Sequence, residues 1–370
     1  MPPELATPTE ETAPHRSHAR LFIALAAVVL AGIVLALVFS KVSGDLLQRR
    51  MSEANALFNA NDTSAAVAKA DSILTRDPRN ITALLLKAAS LAQKGSLEFK
   101  ETTFGPQAIA IAQEALALDP RNSEAYRIIG YAYEIMQKYD EAHAAYEKAL
   151  ALDPSNVAAV SQNAHAYDLQ GQIEKAEVGY RAALALDQNF SQAQMGLGRI
   201  FVQKGQLDEA LARFTRVAGT AQNARVKAEA AYSAGSISSA RGNRAEAERF
   251  MRLATVTDQK YALGWVGLGK ELFDQSIAAS SQISLGQRNA LITSSMDSLQ
   301  KAIAINPNQS LAHYQLGIQL AALGKTSAAV KILTEAKSIV ASDITLSTTG
   351  KTTMLAKIDS ALAVVSAARK

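Results

Sequence analysis

One helix ending recurs three times at a fixed distance. EALALDP at Glu114 to Pro120 returns as KALALDP at Lys148 to Pro154 and as AALALDQ at Ala182 to Gln188; the ALALD cores begin at Ala115, Ala149 and Ala183, 34 residues apart each time. A unit this short cannot enclose a core of its own. A fixed period of about 20–50 residues instead marks copies of one supersecondary unit, stacked so that each buries the apolar face of its neighbour. The period therefore restricts the chain to an elongated repeat array, in which 370 residues can form one continuous unit.

The clearest unit is SEAYRIIGYAYEIMQKYDEAHAAYEKALALDPSN, residues 123–156. Tyr126, Ile129, Gly130 and Tyr133 are spaced i, i+3, i+4, i+7, which puts them on one stripe of a first helix; Ala142, Tyr146 and Ala149 form the matching stripe of a second. Gly130 and Ala142 are small, so the two helix backbones can approach closely. Pro154 cannot continue a helix interior and turns Asp153 away from helical geometry. Asn80, Asn122 and Asn156 each stand two residues beyond such a proline, where they are expected to cap the next first helix.

This pattern resembles the tetratricopeptide repeat closely. The resemblance implies an all-α fold, an α-α superhelix of about eight helix pairs. The frame gives approximate repeats at 47–80, 81–122, 123–156, 157–190, 191–227, 228–261, 262–309 and 310–343, a solenoid spanning 47–343. Residues 344–370 are expected to form a C-terminal capping helix, Met354 to Ala368, over the last repeat's apolar face. Two inserts, Ser96 to Phe104 and Asp274 to Gln287, fall between the two helices of their repeats and so are expected as loops on one edge of the solenoid, either tolerated extensions or second contact sites.

The N-terminus differs in kind. Residues 1–20 carry four prolines and few apolar side chains, the composition of a disordered tail. Leu21 to Phe39 has no charged, polar or proline residue, and its 19 residues reach about 28 Å as a helix, close to the roughly 30 Å hydrocarbon core. Residues 21–40 are therefore expected to be a transmembrane helix, with 41–46 as a linker. A cleaved signal peptide is the competing reading, but its apolar region is ordinarily shorter, about 7–15 residues. Arg16 and Arg20 precede the span and Lys41, Arg49 and Arg50 follow, so the charge rule is nearly balanced. Long domains translocate regardless of charge, which leads to the expectation of a single-pass bacterial inner-membrane protein with its repeats in the periplasm.

Composition removes several chemistries. The chain has no cysteine, which excludes disulfides and thiolate sites. Its net charge of +4 is spread without a Lys/Arg run, so no nucleic acid partner is expected. Asp140-Glu141-Ala142-His143 spells a helicase motif and Gly350-Lys351-Thr352 the end of a phosphate loop, but Thr345 stands where that loop requires glycine. The histidines have no metal-ligand spacing. No catalytic residue, no cofactor and no metal are expected, and the chain is read as non-enzymatic.

What remains is a binding surface. In the family, the face of the first helices turned away from the apolar stripe lines a concave groove. Carrying this over residue by residue marks Arg127, Tyr131, His165, Arg199, Tyr232 and Lys270 as the candidate groove side chains. Arginine binds carboxylate bidentately and aromatics supply contact area, so the expected partner is a protein or peptide with acidic segments. Tyr131 and His165 stand where relatives that clamp a C-terminal carboxylate have asparagine. The resulting expectation is a membrane-anchored scaffold in envelope assembly or export. An accessory subunit presenting substrates to a catalytic partner is the alternative, and homo-oligomers are a further possible arrangement.

Overall fold

The computed structural model describes residues 41, 44–98, 100–278, 282–343, 346 and 348–367. The expected tail at 1–20 and the apolar span at 21–40 lie outside these residues. Among the described residues no helix is long and apolar enough to cross a membrane.

The described residues form helices and no strand, paired along the chain. Residues 44–59 (α1) pair with Thr63–Leu74 (α2), Ile81–Glu98 (α3) with Glu101–Leu118 (α4), and Ser123–Ile135 (α5) with Tyr139–Leu152 (α6). Next come Val157–Leu169 (α7) with Ile173–Leu186 (α8), Ser191–Gln203 (α9) with Leu207–Thr220 (α10), and Ala224–Ala240 (α11) with Arg244–Thr257 (α12). Ala262–Ala278 (α13) with Leu285–Ile305 (α14) and Ser310–Ala322 (α15) with Thr326–Ile339 (α16) complete eight pairs. Thr348–Ala367 (α17) packs across α15 and α16 and buries Met354, Ile358 and Val365.

Each helix packs on the next, and the odd-numbered helices also pack on one another from α3 to α9 and from α11 to α15. That extra contact makes the odd helices the inner layer. Packing between the layers follows the size pattern of the sequence. Ala142, Tyr146 and Ala149 are fully buried, and the Tyr146 ring lies flat against Gly130, where a Cβ would come within 2.6 Å of it. Burying a side chain of this size stabilises by about 1.5–3 kcal/mol, and the pattern repeats with Tyr180, Phe214 and Leu333.

Local chemistry ends and starts the helices. Asn80, Asn122 and Asn156 cap α3, α5 and α7 as expected: each Oδ1 accepts from the backbone N–H three residues on at 3.0 Å. Asp119, Asp153, Asp187 and Asp258 leave the helix in extended geometry. Each then accepts, through Oδ1, the backbone N–H two residues on at 2.9–3.2 Å. Asp187 does so with Gln188 beside it instead of proline, so the carboxylate turn supplies the stop by itself.

Three boundaries differ from expectation. Residues 44–46, expected in the linker, are already the first turn of α1. Helix α11 starts at Ala224, capped by Asn223, whose Oδ1 accepts from Val226 N–H at 3.0 Å; residues 224–227, expected at the end of the repeat 191–227, form an additional first turn of this helix. The inserts mostly lengthen helices: α3 and α4 have 18 residues each, α13 has 17 and α14 has 21, against 13–14 in the regular pairs. Extending a helix satisfies backbone groups that a loop must pair some other way. A capping box opens α14, with Ser284 Oγ accepting from Gln287 N–H and Gln287 Oε1 from Ser284 N–H.

Both nucleotide-motif fragments are structural. Ala142 of DEAH is in the core, and His143 stacks on Tyr167 with ring centroids 4.0 Å apart. Gly350 to Thr352 lie within α17, where Lys351 donates to the Ala341 carbonyl at 2.7 Å.

Candidate partner-binding groove

The odd helices, as the inner layer, turn the face away from their even-numbered partners toward the concave side of the superhelix. Residues four apart on one helix share a face, which brings Arg127 and Tyr131 together on α5 and sets His165 on α7 and Arg199 on α9 beside them. The solenoid turns far enough for its first pair to meet the start of α11: Asn223 Nδ2 donates to the Asn59 carbonyl at 2.5 Å, across 164 residues. Between these points lies a cavity of about 710 Å³.

Arg127, Tyr131, His165 and Arg199 all line this cavity. Tyr232 and Lys270 do not. Tyr232 packs edge-on against Tyr261, with centroids 5.9 Å apart, and Lys270 pairs with Asp274 at 2.7 Å one turn along α13. Both lie beyond the point at which α1 closes the groove, a boundary that no spacing rule contains.

The cations are unequally available. Arg127 donates from Nε and Nη2 to the two oxygens of Glu124 at 2.7 and 2.5 Å, and from Nη1 to Gln162 at 2.6 Å, so its fork is occupied. Burial alone lowers its pKa; the two bonds it donates to Glu124 and the charge of that carboxylate outweigh this and hold it above the ordinary value. Arg199 is 44% exposed and sits 3.7 Å from Asp168, a distance that leaves its donors open to another acceptor. Behind them Glu134 is buried, accepting from Tyr146 Oη at 2.8 Å and approached by His165 Nδ1 at 2.8 Å.

Sequence spacing passed over the most informative group. Tyr180 belongs to α8, a second-layer helix whose Tyr fills the core position equivalent to Tyr146; its ring is 1% exposed, yet the residue lines the cavity beside Arg199, and its buried hydroxyl makes no hydrogen bond of ordinary geometry. Gln93 Oε1 in the same lining is likewise buried and unpaired. An unmade hydrogen bond at a buried polar atom costs about 1–3 kcal/mol, which an incoming ligand can recover. Arg225 and Glu229 on α11 complete the far wall as an ion pair at 2.9 Å.

Tyr131 offers a check on this geometry. Burial, with the Glu134 carboxylate adding to it, pushes its phenol up to about 12. The folded state then keeps a proton that the unfolded chain releases near 10. Stability is therefore present in full below pH 10 and lost as pH rises toward 12. Urea midpoints measured at pH 9, 10.5 and 11.5 should fall across this range, and less steeply in Tyr131→Phe; an equal slope in that variant would show that Tyr131 does not keep its proton in the fold.

Family models of the tetratricopeptide repeat match residues 123–156, 298–331, and 51–98 with 161–225. Among solved structures, the APC/C hetero-tetramer Cut9–Hcn1 is similar with a TM-score of 0.59 at 18% identity, over 84% of this chain and 55% of that one. Yeast Tom70 is similar with a TM-score of 0.50 at 16% identity, over 82% and 59%. The chain thus spans a little over half the length of these proteins, and at such identities the likeness concerns the fold. No curated protein matches the sequence. Matched repeats along the chain, the alanine, glycine and tyrosine packing between paired helices, and the superhelix they build agree on one assignment: the chain belongs to the tetratricopeptide repeat family.

Proposed function

We propose that this protein is a non-enzymatic, membrane-anchored scaffold that holds a carboxylate-bearing segment of a partner protein in the first turn of its solenoid. Solenoids of this family are typically scaffolds for protein–protein interaction and generally non-catalytic. The observation that carries the reading is the cavity in which the unpaired Tyr180 hydroxyl and the loosely held Arg199 face the same space as Tyr131 and His165. A partner carboxylate takes two donors from Arg199 and one from Tyr180, while Arg127, already bound to Glu124, shapes the wall.

Anchoring rests on the apolar run Leu21 to Phe39, and placement in the periplasm of a bacterial envelope on the behaviour of long trailing domains. Protease added to intact spheroplasts should digest the repeats; full protection would reverse the orientation. For the groove, a photo-reactive residue at Gln192 in the membrane-held protein should give adducts with another protein chain. Arg199→Glu should lower their yield about tenfold, the loss of one charged contact. Adducts with itself alone, or a yield that Arg199→Glu leaves unchanged, would reject the groove.

A further inference from the structure

The opposite side of the solenoid carries a second site of different character. Helices α8 and α10 and the end of α9 enclose a cavity of about 590 Å³ lined by Arg181, Lys204, Arg213 and Arg216, with Glu177 and Glu209 as its carboxylates. These six side chains sum to two positive charges. Glu177 is committed: it accepts from Arg181 at 2.7 and 3.1 Å and from Lys204, and these bonds hold its carboxyl below the usual range. Glu209 stands exposed at the rim.

Two arginines are left. Arg213 is half-buried and is held from behind by Gln194, a residue 2% exposed, whose Oε1 accepts from Nη1 at 2.9 Å. Neither Arg213 nor Arg216 has a carboxylate within ion-pair range among the described residues. Burial, and then repulsion from Arg181 and Arg216, lower the pKa of Arg213. Three guanidinium groups thus converge on one space without enough negative charge to balance them. Arg181 is further steadied by the Phe201 ring, 5.9 Å from its guanidinium carbon.

We propose that this cavity binds a dianionic phosphoryl group, held between Arg213 and Arg216 and screened from solvent on one side by Arg181. Guanidinium forks match phosphate oxygens in pairs, and a dianion cancels the surplus of two charges that a single carboxylate would halve. The site is formed by second-layer helices with the end of α9 and shares no lining residue with the groove.

The test is calorimetric titration of inorganic phosphate into the full chain held in phosphatidylcholine discs. Saturable binding is expected, weakened about tenfold in Arg213→Gln/Arg216→Gln and unchanged in Arg249→Gln on α12. Arg216→Gln alone, at an exposed position, should weaken it severalfold and serves if the double variant folds poorly. A parallel titration with phosphatidic acid included in the discs separates the sources. Competition with free phosphate assigns the site to a lipid headgroup, and no competition assigns it to a soluble phosphoryl group. Absence of saturable phosphate binding, or equal affinity in wild type and double variant, would overturn the site.

Discussion

Replacing Gly196 with alanine is expected to destabilise the central repeats by roughly 3 kcal/mol, the cost of overpacking where nothing can yield. The added Cβ would lie 2.2 Å from Cζ of Tyr180 and 2.5 Å from two further ring atoms. That ring is 1% exposed and wedged between α8 and α9, so it cannot swing away without opening the core. The same movement displaces the Tyr180 hydroxyl from the cavity, so partner binding should fall together with stability. Gly219 supplies the control. It also lies in a helix, with nothing within 4 Å of its notional Cβ, and Gly219→Ala should raise stability by about 0.5–1 kcal/mol through backbone entropy. Urea unfolding followed by far-UV circular dichroism should show the first variant developing an earlier sub-transition and the second shifting to higher urea, because repeats unfold partly independently. Shifts in the same direction would contradict the packing assigned to Gly196.

Tyr146→Ala should cost about 3–5 kcal/mol, since it empties a fully buried site bounded by Gly130. Tyr146→Phe separates the ring from the hydroxyl. It keeps the packing but leaves buried Glu134 with His165 as its remaining partner, at a cost of about 1–2 kcal/mol. Thermal unfolding of the two variants should therefore differ by at least the larger part of the alanine effect. If Phe is as damaging as Ala, the hydroxyl and not the ring holds this repeat together.

Much of the fold was legible because its determinants are local. Helix faces follow from i, i+3, i+4, i+7 spacing, and the asparagine caps from their position after the prolines. Where reading by analogy with loops failed, at Ser96 to Phe104 and Asp274 to Gln287, the residues are adequate helix formers, and lengthening α3, α4, α13 and α14 pairs their backbone groups. The groove was legible only as a face. Spacing places Arg127, Tyr131, His165 and Arg199 on it and equally Tyr232 and Lys270, which the fold leaves outside the cavity, against Tyr261 and Asp274. Tyr180 escaped because its spacing marks it only as a core residue, whereas the fold also places it in the lining of the cavity.

The recurrent ALALD ending shows where the division falls. By itself the sequence determined that a helix stops there, with alanines facing the next repeat and an aspartate ready to turn the chain, because all of this lies within a few residues of one backbone. It determined the repeat, and from the repeat the family. Small rotations between successive pairs accumulate along the array, and only the tertiary structure decided that they bring Asn59 to Asn223. That closure selects which first-layer side chains share a cavity. Arg213 and Arg216, three apart on α10, are neighbours by sequence alone, but only the packing of α8, α9 and α10 sets Arg181 and Lys204 beside them.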